Sequence, residues 1–107
     1  MYVGVYRVEL HIPTSQSLKA KRSVINSLKT KLATLSISVA EVDGQDTWQR
    51  STLGLAAVSN DVAYLDQLPD RIESICLREP RATFLRVERT VLPVDDFEND
   101  AWGDFDG

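Results

Sequence analysis

The chain has 107 residues, 43% hydrophobic and 26% charged, the balance of one soluble globular domain that builds a core without staples. A single cysteine, Cys76, excludes an internal disulfide and a cysteine-based zinc site, and no apolar run approaches the ~18 residues of a membrane helix. The net charge of −4 is segregated: residues 1–40 hold six bases and one acid, residues 41–92 six bases and nine acids, and residues 93–107 six acids and no base, the pattern of a basic binding face with an acidic tail.

Tyr2 to Ile12 alternates, with Tyr6, Val8, Leu10 and Ile12 on one face and Arg7, Glu9 and His11 on the other. This predicts a half-buried strand in place of a signal-peptide core, and a cytoplasmic location follows. Pro13 ends the strand and Ser17 is a candidate N-cap. Leu18, Ile25, Leu28, Leu32 and Leu35 then recur at helical spacing. A second strand, Ile37 to Asp43, places Ile37, Val39, Glu41 and Asp43 on one face, and "DGQD" signals a turn. A third strand runs from about Gln49 to Val58. "SND" at 59–61 reads as a helix cap, followed by a stripe of Val62, Leu65, Leu68, Ile72 and Ile75. Pro69 lies inside this stripe and is expected to kink or split the helix, since proline lacks the backbone donor. Ala82 to Leu92 is the last strand. Cys76, among Ile72, Ile75 and Leu77, reads as a buried thiol.

The order βαββαβ predicts an α+β, ferredoxin-like fold: a four-stranded antiparallel sheet in order 4-1-3-2, with two helices on one face. The domain is expected to span 1–94, with 95–107 an acidic tail that interleaves Phe97, Trp102 and Phe105 with its acids. In this topology strands one and two are parallel, so their C-terminal ends meet at one edge. That edge brings "SLKAKR" at 17–22 beside "EVDGQDTWQR" at 41–50. Cations open the first helix although a helix N-terminus favours acids; Glu41, Asp43 and Asp46 are placed to face them. Lys21 sits on the apolar stripe and Glu41 on the apolar strand face, so the two are expected to pair at the rim of the helix–sheet layer. The pair reads as a structural ion pair or a snorkelling lysine, or as a rim site that orients Arg22 or binds an anion.

"ELHIP…SLKAKR" followed by "SVAEVDGQDTWQRSTLGLAAVSND" resembles the YlxP-like proteins, a small bacterial family of unknown function, over residues 2–92. The resemblance implies a ferredoxin-like fold and no established activity, and it points towards RNA or the ribosome. Relatives often carry Glu where Ala20 stands, which would complete a capping box. The ending "VDDFENDAWGDFDG" lies outside the family pattern.

Little catalytic chemistry is available. His11, the single histidine, reads as a surface or interface residue, and one histidine makes a poor metal site. No phosphate-loop, dinucleotide or nucleophile-elbow motif occurs. Glu41, Asp43 and Asp46 could hold Mg²⁺, but exposed turn carboxylates are common, and neither a metal nor a cofactor is assigned. The open sheet face lacks the aromatics of a base-stacking platform, so RNA contact would be directed at the backbone through Lys19, Arg22, Lys29 and Lys31. Trp48, beside Gln49 and Arg50 at the rim, could stack on a partner or cap the core. The same open face carries Val3 and Val5, with Phe84 placed beside them, and such a patch marks an interface. The residues therefore suggest a non-enzymatic RNA- or ribosome-associated binding protein or, alternatively, a homodimeric interaction module. No membrane role is expected.

Overall fold

The computed structural model describes residues 1–13, 16–45 and 47–94; Asp46 and the acidic tail at 95–107 lie outside the described residues. Six elements follow in order: β1 (Tyr2–His11), α1 (Leu18–Ala33), β2 (Ser38–Asp43), β3 (Arg50–Ser59), α2 (Val62–Leu77) and β4 (Thr83–Pro93). The sheet order is β2-β3-β1-β4, and each neighbouring pair is antiparallel. The chain therefore has the ferredoxin-like split βαβ architecture.

The alternation of β1 decides which side is covered. Tyr6, Val8 and Leu10 are buried, as are Leu53, Leu55 and Ala57 of β3. Val24, Ile25, Leu28 and Leu32 of α1 join them, with Leu65, Leu68, Ile72 and Cys76 of α2. Burial raises the Cys76 thiol to about 11, so it packs as an apolar side chain. Ser17 caps α1 by accepting the Ala20 N–H at 3.0 Å, and Asp61 caps α2 by accepting the Ala63 N–H at 2.9 Å.

Three expectations need correction. Pro69 does not split α2, which runs unbroken from Val62 to Leu77. Without an N–H, Pro69 leaves the carbonyl of Leu65 without its helical donor. The Tyr6 hydroxyl supplies one instead, donating to Leu65 O at 2.6 Å. Gly4 makes room for it, since a Cβ there would collide with the Tyr6 hydroxyl.

Phe84 does not lie on the open face. The β1–β4 register shifts between Glu9 and Leu10, so Phe84 pairs with Leu10 and packs against the core. Asp43 likewise leaves the face it was expected to share with Glu41. A register shift between these two residues sets Asp43 opposite Thr52, whose β1 partner is Glu9 on the open side. An extra residue in one strand reverses the parity of all that follows.

Candidate functional site

At the start of α1, Lys21 is 2% exposed, where an unpartnered ammonium would be costly. Its Nζ lies 2.9 Å from Glu41 Oε2 and donates to the Gly44 carbonyl. The same Glu41 oxygen accepts from Ser51 Oγ at 2.6 Å. Gly44 holds a left-handed backbone, φ 84°, and a Cβ there would meet the Arg50 carbonyl at 2.9 Å; only glycine suits this turn. Lys21 thereby ties α1 to β2 and the β2–β3 turn.

The remaining α1 cations separate into two groups. Lys19 and Arg22 are exposed and Lys29 is half-buried; their spacing keeps them on one flank of the helix. No acid forms an ion pair with any of these three among the described residues. Arg22 borders a hollow of about 220 Å³ beside Leu18, Lys21, Ile25, Glu41 and Gln45. Lys31 falls elsewhere, beside Thr34, Ile75 and Arg78. The four cations expected to act together are thus three and one.

The rim turn also divides. Asp43 and Arg50 border a small recess of about 90 Å³ with Gly44, Thr47, Ser51 and Thr52. Trp48 is 51% exposed, so it does not cap the core. Asp46 lies outside the described residues. Among the described residues no group of three histidine, cysteine or acidic side chains could hold a metal.

The sheet face away from the helices has two halves. Val3, Val5, Ala56, Val58 and Leu92 meet at one end through the β1–β3 and β1–β4 registers. Val5, Val58 and Leu92 are 47%, 63% and 54% exposed. A shallow hollow of about 300 Å³ continues this surface from Val5 and Ala56 to Ser38 and Ala40 of β2. The other half is charged. Arg7 Nε donates to Glu9 Oε1 at 2.9 Å, Thr52 Oγ1 donates to Glu9 Oε2 at 3.0 Å, and Arg86 lies 3.7 Å from Glu88. Burial works against ionisation of Glu9, but the hydrogen bonds from Arg7 and Thr52, with the charges of Arg7 and Arg86, outweigh it and lower its pKa. The sequence alone does not announce Val58 and Leu92 as neighbours of Val3; the strand registers do.

Comparison with known proteins places the chain in a family. A family model described as a protein of unknown function, DUF503, matches residues 3–89. The chain belongs to the DUF503 family. It is 31% identical over 90 residues to the uncharacterized protein YlxP of Bacillus subtilis (strain 168), covering 83% of this chain and 92% of that protein. Among solved structures it resembles the de novo designed protein Foldit4, with a TM-score of 0.50 and 13% identity over 89% of this chain and 100% of the other. A dimeric ferredoxin-like protein from an uncultured marine organism gives a TM-score of 0.45 and 8% identity over 89% of this chain and 99% of the other.

Among the described residues the most strongly perturbed carboxylate is Glu79, which follows α2 and is buried. Two hydrogen bonds from the Arg81 guanidinium, at 3.0 and 2.9 Å, hold Glu79 down to about 2 against the effect of burial. An acid clamped in this way stays ionised and is a structural staple, unsuited to proton transfer at neutral pH. No helix of the described residues is long and apolar enough to cross a membrane.

Proposed function

We propose that this protein is a non-enzymatic binding module whose open sheet face pairs with a second copy of the same chain. The apolar half of that face carries the reading: Val3, Val5, Ala56, Val58 and Leu92 form one continuous patch open to water, and such patches mark interfaces. The neighbouring charges favour a like partner. Arg7 and Arg86 are matched by Glu9 and Glu88, so the surface is mixed in sign and suits a self-complementary twofold contact. The single-sign field that attracts nucleic acid is missing from it.

The test is the mass of the full-length protein in solution at high micromolar concentration, with Val58→Asp beside it. The wild type should be dimeric and the variant monomeric. A monomeric wild type would overturn the reading.

A second reading, association with RNA or the ribosome, is favoured by a different observation. Lys19, Arg22 and Lys29 share a flank of α1 with no acid pairing among the described residues. Phosphate contacts there would release counterions, so cosedimentation with ribosomes that weakens steeply as salt rises is its signature. Lys31, on another side of the helix, is not part of that flank. The two readings use different surfaces and are compatible.

A further inference from the structure

A recess of a different kind lies between the helices. Two adjoining hollows of about 350 and 330 Å³ share Ile75 and Arg78, each within the range of roughly 300–1,000 Å³ that holds small ligands. Leu35 and Ile75, half-buried and packed on the core, supply its apolar floor. Lys31 from α1, Arg71 from α2 and Arg78 at the C-cap of α2 surround it, with Asp70 the one acid in its lining. Arg71, Ile75 and Arg78 follow one another at i, i+4 and i+7 and therefore share a helix face. None of the three cations forms an ion pair among the described residues. The nearby Glu79 carboxylate is held by Arg81 and also feels the charge of Lys31.

An apolar floor ringed by three cations and one acid fits a peptide that alternates acids with large apolar side chains. Residues 95–107 of this chain have that composition: six acids, Phe97, Trp102 and Phe105, and no base. We propose that residues 95–107 bind in this recess of their own chain, with aromatics on Leu35 and Ile75 and acids towards Lys31, Arg71 and Arg78.

Reach supports the assignment. The Val94 N–H donates to the Met1 carbonyl at 2.8 Å, so the segment starts at the end of the sheet where β1 begins. Leu35 lies at the same end, just ahead of β2, whose Ser38 pairs with Ala56 and thereby neighbours Val5. Thirteen extended residues span at most about 45 Å, whereas the whole of α2, sixteen residues, is about 24 Å long. Charge decides between this recess and the open sheet face. On the open face Glu9 and Glu88 offset Arg7 and Arg86 and would repel the segment's acids. The proposal is independent of the open-face dimer.

The experiment reads Trp102 in the full-length chain. The protein has two tryptophans, so Trp48→Phe leaves Trp102 as the sole reporter. Its quenching by acrylamide is compared with that of a synthetic 95–107 peptide. We expect quenching several-fold weaker than in the free peptide and independent of protein concentration. Arg71→Glu with Arg78→Glu should raise it to the peptide value. So should amide replacement of the six acids, which leaves the folded domain untouched and keeps the test valid if the charge reversal impairs folding. Quenching equal to the free peptide in the wild type would overturn the proposal. Protection unchanged by both sets of replacements would also overturn it. Protection that grows with protein concentration would seat the segment of a second copy and overturn the intrachain assignment.

Discussion

On the covered side of β3, Leu53 and Leu55 are fully buried, while on its other side Ala56 and Val58 stand open to water. Charged groups are buried on both sides, but their partners differ. Lys21, on the covered side, is sunk among a carboxylate and a backbone carbonyl. Glu9, on the open side, is held by Arg7, which is itself largely exposed. The covered face therefore spends its polar groups on holding the fold, and each has a required partner. The open face completes no core, and its apolar residues are left available for a partner. A substitution should register in stability on one side and in association on the other.

Glu41→Ala should have the largest effect on folding. It strips the carboxylate from a buried Lys21 and leaves the Gly44 carbonyl as the partner the structure shows for that ammonium. Breaking a buried pair from one side costs about 3–5 kcal/mol, and the retained carbonyl places this case near 3 kcal/mol. Urea denaturation measures it. A loss below about 1 kcal/mol would put Lys21 in water and erase the contrast between the two faces.

Tyr6→Phe should come next, at about 1–3 kcal/mol, because the buried carbonyl of Leu65 loses its donor. Pro69→Ala returns an N–H to the position that would bond this carbonyl. In a double-mutant cycle, Tyr6→Phe should therefore cost less in the Pro69→Ala background. Equal cost in both backgrounds would mean that the tyrosine hydroxyl does not compensate for the proline.

Much of this was legible from the sequence, and the failures share a cause. The βαββαβ element order gave the sheet order, and the period-two alternation in β1 with the stripe of α1 gave the covered face. Lys21 and Glu41 could be matched because each interrupts an apolar face near the same edge. Counting by parity failed at Asp43 and Phe84, where register shifts follow Glu41 and Glu9 and the alternation changes phase. Pro69 misled because its compensating donor is Tyr6, 59 residues from Leu65, and no local pattern carries that distance. Lys31 was readable but missed: two positions past Lys29, it falls most of a half-turn away on a helix.

The smallest effect on folding is expected at Val58. Val58→Ser removes an exposed apolar group from the open patch, where the side chain is 63% exposed and faces away from both helices. Surface substitutions outside a cap, a buried polar network or a strained backbone stay within about 0.5 kcal/mol. The intrinsic strand preference of serine relative to valine accounts for part of that, since strand propensities span about 1 kcal/mol. The measurement is made by urea denaturation at low micromolar protein, where an associated form contributes least, and repeated at high micromolar. At low concentration the variant should match the wild type. At high concentration the wild type alone should gain apparent stability, because a partner that binds only the folded chain stabilises it by mass action. A loss at low concentration comparable to that of Tyr6→Phe would mean that the open face supports the fold of the single chain after all, and the division between the two faces would fail.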